Sequence, residues 1–306
     1  MFQRDVFINE IIKKLEKDKN IFFLSADFGA PALDKLREKF SNNFLHCGIS
    51  EQAMLDIASG LALEGNKVFV YAMAPFLSLR AIEQAKCGAG LMNLPISIIS
   101  VGVGLGYADA GPTHYSTEDF ACFRAIVGSS IYTASDNVTT KLIANDMLEN
   151  PKFSYIRLDR EPLPDISPAI SDNDFIKGFK IHGKEDKNKI ALISHGKMLH
   201  SCMELYKQET EKFICVDIFR SKPFPNDLPK KISLCKGIVV VDEQSPSGNL
   251  SACVFEGFSS QNYFPKIISK SLPEKYVFEN GGRNYLLKRF GLSNEDIILA
   301  TKQIID

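Results

Sequence analysis

The sequence predicts an α/β protein of two three-layer domains, and three observations lead there. Apolar strands alternate with helical periods through the first half of the chain. Those strands are short and almost wholly apolar, as in Ile21-Phe22-Phe23-Leu24 and Ile96-Ser97-Ile98-Ile99-Ser100, the pattern of strands covered on both faces in a parallel sheet. A stretch rich in Pro, Ser, Asp and Lys then breaks the pattern before a second βα run begins. The expected boundaries are 1–165 for a first domain with a mostly parallel sheet and helices on both faces, 166–188 for a linker, and 189–306 for a smaller α/β domain.

The elements follow in order. Val6, Ile8, Ile11, Ile12 and Leu15 fall close to helical spacing across 5–17. Strand 21–24 ends at Ser25-Ala26-Asp27, and Pro31 opens a helix running to Phe40. Phe44-Leu45-His46 leads into a helix over 51–64, stopped by Gly65-Asn66. Strand 67–71, helix 77–92 and strand 96–100 come next, then a glycine-rich loop over 102–114 and a helix near 117–126. Strand 130–132 runs to Ser135-Asp136, which caps helix 137–149, and strand 154–157 completes the set. Within the linker one strand is expected near Phe179-Lys180-Ile181. The second domain shows strands at 190–194, 213–217 and 237–241, with a helix over 197–209.

Composition narrows the function classes. The chain of 306 residues is 45% hydrophobic and 24% charged with a net charge of −1, so nothing draws it to nucleic acid or anionic membrane. No apolar run approaches a membrane span, and the N-terminus carries charge within its first residues, so a cytoplasmic protein is expected. The seven cysteines show no Cys-x-x-Cys pair and no ligand spacing with histidine; reduced core residues are expected and structural zinc is not.

Ligands of open α/β sheets bind outside the carboxyl ends of the strands. Asp27, Glu51, Ala74-Pro75-Phe76, the 102–114 loop and Arg160 all fall at or just after such ends, and therefore on one rim. Glu51 lies in His46-Cys47-Gly48-Ile49-Ser50-Glu51-Gln52-Ala53-Met54, at a strand-to-helix junction before a small, apolar helix. A carboxylate half buried at such a mouth can share a proton with a ligand nitrogen. By itself it reads more readily as a helix-start carboxylate stabilised by the helix dipole.

The segments Gly48-Ile49-Ser50-Glu51-Gln52-Ala53-Met54 with Gly60-Leu61-Ala62, and then Ala110-Gly111-Pro112-Thr113-His114, resemble the pyrimidine-binding domain of transketolases in order and spacing. Val216-Asp217-Ile218-Phe219-Arg220-Ser221-Lys222-Pro223 and Val241-Asp242-Glu243-Gln244 resemble the transketolase C-terminal domain, in a style close to deoxyxylulose-phosphate synthase and the β subunits of 2-oxo-acid dehydrogenases. The resemblance covers essentially the whole chain and implies thiamine diphosphate as cofactor. In the family a glutamate holds N1′ of the aminopyrimidine and so promotes loss of the thiazolium C2 proton; the resemblance gives that role to Glu51. It gives Phe76 and Ile82 to the pyrimidine pocket, Asp27 to the neighbourhood of the thiazolium, and His114 to the reacting substrate and its developing alkoxide. Arg160 takes the substrate phosphate, with Arg80 and Arg157 as helpers. The alternatives are a core aromatic at Phe76, a loop histidine at His114, a turn residue at Asp27 and solvated or salt-bridged arginines at Arg80 and Arg157. His195, His200 and Glu243 read as packing or interface residues.

Several positions depart from the family pattern. Ala110 stands where transketolases carry an aspartate that reads sugar hydroxyls, with Asp109 adjacent; Gly102 and Val103 replace an upstream histidine; Ala30-Pro31 falls where a phosphate-contacting serine is expected; Ile82 replaces an aromatic. A pentose phosphate is the default substrate, and another ketose or a nucleotide-linked sugar stays open. No Gly-Asp-Gly occurs, and Gly102-Val103-Gly104-Leu105-Gly106 fits neither a P-loop nor a dinucleotide fingerprint. The resemblance is therefore to the C-terminal subunit of a split transketolase. It implies a partner N-terminal subunit carrying the diphosphate and Mg²⁺ site, in an α2β2 assembly. The rival readings are a 2-oxo-acid dehydrogenase β subunit, a deoxyxylulose-phosphate-synthase-like enzyme, and a non-catalytic assembly or regulatory subunit.

Overall fold

Two sheets organise the molecule, and each borrows a strand from beyond its own stretch of sequence. The structure is a computed structural model that describes residues 1–26 and 30–305. The strands are β1 Ile21–Ser25, β2 Phe44–His46, β3 Lys67–Met73, β4 Ile96–Val101, β5 Ser130–Thr133, β6 Ser154–Leu158, β7 Lys180–His182, β8 Ile190–Ser194, β9 Phe213–Asp217, β10 Arg220–Lys222, β11 Gly237–Val241 and β12 Ile267–Lys270. The first sheet has the order β10-β5-β6-β4-β3-β1-β2 and the second β12-β11-β8-β9-β7. Both are parallel except at one edge, where β10 runs antiparallel to β5 and β7 antiparallel to β9. The fold is thus the α/β architecture expected, with helices covering both faces.

The helices are α1 Gln3–Leu15, α2 Asp34–Lys39, α3 Glu51–Leu63, α4 Ile82–Gln84, α5 Asp119–Ala125, α6 Asn137–Glu149, α7 Asp172–Lys177, α8 Gly196–Gln208, α9 Leu228–Lys231, α10 Leu250–Ser259, α11 Arg283–Arg289 and α12 Asn294–Ile305. α1 buries Phe7, Ile8, Ile11, Ile12 and Leu15 on one face, the stripe that its period predicts. α6 begins at Asp136, whose side chain accepts from the Thr139 amide at 2.7 Å. Ser135 does not cap; its hydroxyl donates to Asp217 and accepts from the Gly196 amide, both at 2.9 Å, across to the second domain.

Two expectations meet a different structure. The single helix over 77–92 is instead two π-helical turns, Phe76–Arg80 and Ala85–Gly90, flanking α4. Its amides reach back five residues, Leu91 to Lys86 at 2.8 Å and Leu94 to Ala89 at 3.0 Å. An extra residue per turn barely disturbs apolar spacing, so the sequence reads as an ordinary helix. The close packing of this stretch on α3 depends on small residues: a Cβ on Gly88 would meet Ser59 Oγ at 2.2 Å.

The segment 166–188 is not a plain linker. Ser171 and Asp174 form a capping box on α7, Gly178 ends it at φ +87°, and β7 joins the second sheet. Conversely β10 returns to the first sheet, pairing Arg220 with Tyr132. One buried cluster accordingly runs from Leu24 and Val70 in the first domain to Val240 and Phe258 in the second, so the two domains share a core. No helix among the described residues is long and apolar enough to cross a membrane.

Candidate active site

β2 ends at His46, and Gly48 turns the chain at φ +66°, a conformation that penalises any side chain. α3 then starts at Glu51, which is only 2% exposed. Its Oε2 accepts from Arg80 Nη1 at 2.6 Å. The Arg80 guanidinium lies 4.5 Å from the centre of the Phe76 ring, within the range of a cation–π contact. Phe76 meets the His114 ring edge to face at 5.6 Å, and Thr113 Oγ1 lies 2.9 Å from His114 Nδ1. His114 in turn is 6.4 Å from Tyr107. Arg160 stacks over Tyr107 at 4.4 Å and forms a two-pronged ion pair with Asp109, whose second bond is 3.2 Å. That hydrogen bonding holds the Asp109 carboxyl below its usual range and raises Arg160.

A continuous chain of contacts therefore runs from Glu51 through Arg80, Phe76, His114 and Tyr107 to Arg160. Ile82 is half buried two residues beyond Arg80 and packs against the core beneath this rim. Asp27 lies outside the described residues. Tyr107 and Asp109 join the site without a motif that announces them. The signal for Tyr107 is Gly102, whose φ of +84° leaves no room for a Cβ, which would meet the Tyr107 ring at 2.0 Å.

Arg157 is a correction. It is 2% exposed. Its Nε and Nη2 grip Asp119 at 2.6 and 3.2 Å, and its Nη1 reaches Thr133 Oγ1 at 3.0 Å and His195 Nε2 at 3.2 Å. A guanidinium so fully engaged has no donor to offer a substrate phosphate. It belongs to the seam between the domains, where His195 also reaches Asp242 at 3.3 Å. Burial alone would raise Asp242, but His195 and Arg157 outweigh it and lower its pKa. Beside it Arg283 makes two bonds of 2.8 Å to Asp159 and two of 3.0 Å to Glu243.

The seam also fixes the loop that carries His114. Glu243 accepts from the Leu105 amide at 3.1 Å, and Gln244 Nε2 donates to the Ser116 carbonyl at 2.8 Å. Gly104 and Ser116 close the loop with two mutual bonds of 2.9 Å. The second domain thus anchors both ends of the 104–116 segment. Among the described residues no group of three or more His, Cys, Asp or Glu could hold a metal ion.

The Glu51 corner suits a flat nitrogen heterocycle. It offers a buried acceptor beside an aromatic face, and a planar N–H-bearing group from Arg80 already satisfies both. A family profile described as transketolase, pyrimidine binding domain, matches residues 3–165. The chain belongs to the transketolase family. The family's pyrimidine-binding domain implies dependence on thiamine diphosphate.

Relatives agree on the extent of the match. The chain is 28% identical over 307 residues to one subunit of the apulose-4-phosphate transketolase of Phocaeicola vulgatus, covering 99% of this chain and 97% of that one. It is 26% identical over 295 residues to a putative transketolase C-terminal section of Methanocaldococcus jannaschii, covering 94% and 91%. Against transketolase-like protein 1 of Mus musculus, 27% identical, the match covers 95% of this chain but 49% of the longer relative. A solved structure described as a split gene transketolase, inactive beta4 tetramer, superposes with a TM-score of 0.85 at 23% identity over 99% of this chain and 98% of that one; at that identity it speaks for the fold. This transketolase-family chain corresponds to the C-terminal subunit of a split transketolase.

Proposed function

We propose that the chain supplies the pyrimidine-facing half of a thiamine-diphosphate transketolase active site. A separate diphosphate-binding subunit completes it, in an α2β2 assembly that moves a two-carbon ketol unit from a ketose to an aldose. The observation that carries this reading is the 2% exposed Glu51 at the start of α3, beside the Phe76 face with His114 at its edge. When bound, the cofactor supplies a carbon nucleophile for carbonyl chemistry. Glu51 holds N1′ and so favours loss of the C2 proton. Phe76 and Ile82 wall the pyrimidine, and Asp27 is assigned to the thiazolium end. His114 donates to the oxygen of the reacting carbonyl as charge develops there.

Arg160 is assigned to the anionic end of the substrate, where a guanidinium fork is well suited. Two relatives are named for sugars with such an end, apulose 4-phosphate and, in Clostridium sp., 6-deoxy-6-sulfo-D-fructose. Mg²⁺ is assigned to the partner subunit.

The test is reconstitution. Mixed with its diphosphate-binding subunit, the chain is expected to catalyse ketol transfer from phosphorylated ketoses, while neither subunit does so alone. Glu51→Gln is expected to lower transfer by at least about 100-fold, the scale of a lost proton-transfer partner. A mixture that decarboxylates 2-oxo acids without ketol transfer favours the dehydrogenase reading. A Glu51→Gln mixture of undiminished activity makes this chain a non-catalytic subunit.

A further inference from the structure

Arg80 makes the two contacts that an aminopyrimidine needs in this corner. Its Nη1 donates to Glu51 Oε2 at 2.6 Å, and its guanidinium lies 4.5 Å from the Phe76 centroid. Among the described residues no other side chain donates to the Glu51 carboxylate. A heterocycle cannot take the same carboxylate oxygen and the same ring face while the guanidinium is there. The reason for the arrangement is electrostatic: Glu51 is 2% exposed, and a buried carboxylate without a partner is costly.

We propose that Arg80 is the closing residue of the half-site. It neutralises Glu51 until the cofactor arrives, and it must swing away for the pyrimidine to enter. Its surroundings allow this. The Arg80 side chain is 42% exposed and makes no other ion pair among the described residues, so it can leave for solvent at little cost. It sits at the end of a π-helical turn, Phe76–Arg80, a local form frequent at functional sites. Arg80 is thereby reassigned from helper of a substrate phosphate to competitor of the cofactor. Loading of the pyrimidine and opening of the Glu51–Arg80 pair become one linked equilibrium.

This inference rests on the proposed function, and its test separates the two. Thiamine diphosphate is titrated calorimetrically into the complex of the full chain with its diphosphate-binding subunit. If the closed state is populated about nine times in ten, apparent affinity is lowered about tenfold. Arg80→Ala is therefore expected to tighten binding about tenfold, chiefly through faster association. Arg80→Gln, flat but uncharged, is expected to fall between that variant and the native complex. Unchanged or weaker binding in both variants overturns the inference, weaker binding making Arg80 a cofactor ligand. A native complex that binds no thiamine diphosphate overturns this inference and the proposed function together.

Discussion

Arg157 and Arg160 stand three residues apart at the end of β6, and their surroundings are opposite. Arg157 is sealed, with its side chain 2% exposed and its partner Asp119 at 0%. Arg160 is open at 40%, and its partner Asp109 is 68% exposed. The same contrast holds for the clusters around them. In the seam, Arg283 pairs with Asp159 and Glu243, and His195 with Asp242, all away from water. On the rim, Arg80 and Arg160 each hold a carboxylate through a bond that faces solvent on at least one side. Buried pairs of this kind are expensive to break and do nothing for a ligand, whereas half-exposed arginines on carboxylates can exchange partners. The seam is a fixed frame, and the rim is the part that can meet a molecule.

The comparison breaks most readily at Arg157. Truncation to Ala strands Asp119 in the core and should cost about 3–5 kcal/mol of stability, read from urea unfolding midpoints. Loss below about 1 kcal/mol would put Arg157 in the same class as Arg160. Arg160→Ala should leave unfolding within about 1 kcal/mol of native, because its pair is exposed. In the reconstituted enzyme it should raise KM for a phosphorylated donor about tenfold or more, and much less for an uncharged one. Gln244→Ala removes one bond to the His114 loop and should destabilise by about 1 kcal/mol. It should also lower kcat more than it raises KM if the seam positions His114.

The smallest effect concerns protons. His182 on β7 is pushed down to about 4, by burial first and then by the charge of Lys180. It stays neutral in the folded chain while the unfolded chain takes a proton below about 6.5. Its share of stability is therefore intact above that pH and is lost as pH falls from about 6.5 toward about 4. His182→Gln should flatten the stability profile in that window and leave the rim's ligand affinity unchanged.

Much of this contrast is not written in the chain. Arg157 and Arg160 read alike as basic residues at a strand end, and both suit a substrate phosphate on that reading. Only the return of β10 and the docking of the second domain bury one of them. The β-strands of the first sheet are legible because both faces are covered and their residues are almost all apolar. Glu51 is legible from its place before a small-residue helix together with Gly111-Pro112-Thr113-His114. The 166–188 segment looks like linker because α7 is short and polar; the strand expected near Phe179-Lys180-Ile181 is β7, whose place is set by the edge of the second sheet. Arg80's hold on Glu51 has no local signature, since π-helical turns bring together residues whose spacing reads as an ordinary helix. Beyond β11, α10, β12, α11 and α12 complete the second domain, and α12 carries a helical stripe of its own at Ile297, Ala300, Thr301 and Ile304.

The central claim is that Glu51 serves the cofactor's pyrimidine and not merely the helix start. Deuterium exchange at the thiazolium C2 position, followed by NMR in the reconstituted complex, tests that claim without any substrate. Exchange should be strongly accelerated over free thiamine diphosphate with the native chain, and should fall by at least about 100-fold in Glu51→Gln at saturating cofactor. Equal exchange in the native and Glu51→Gln complexes would contradict it.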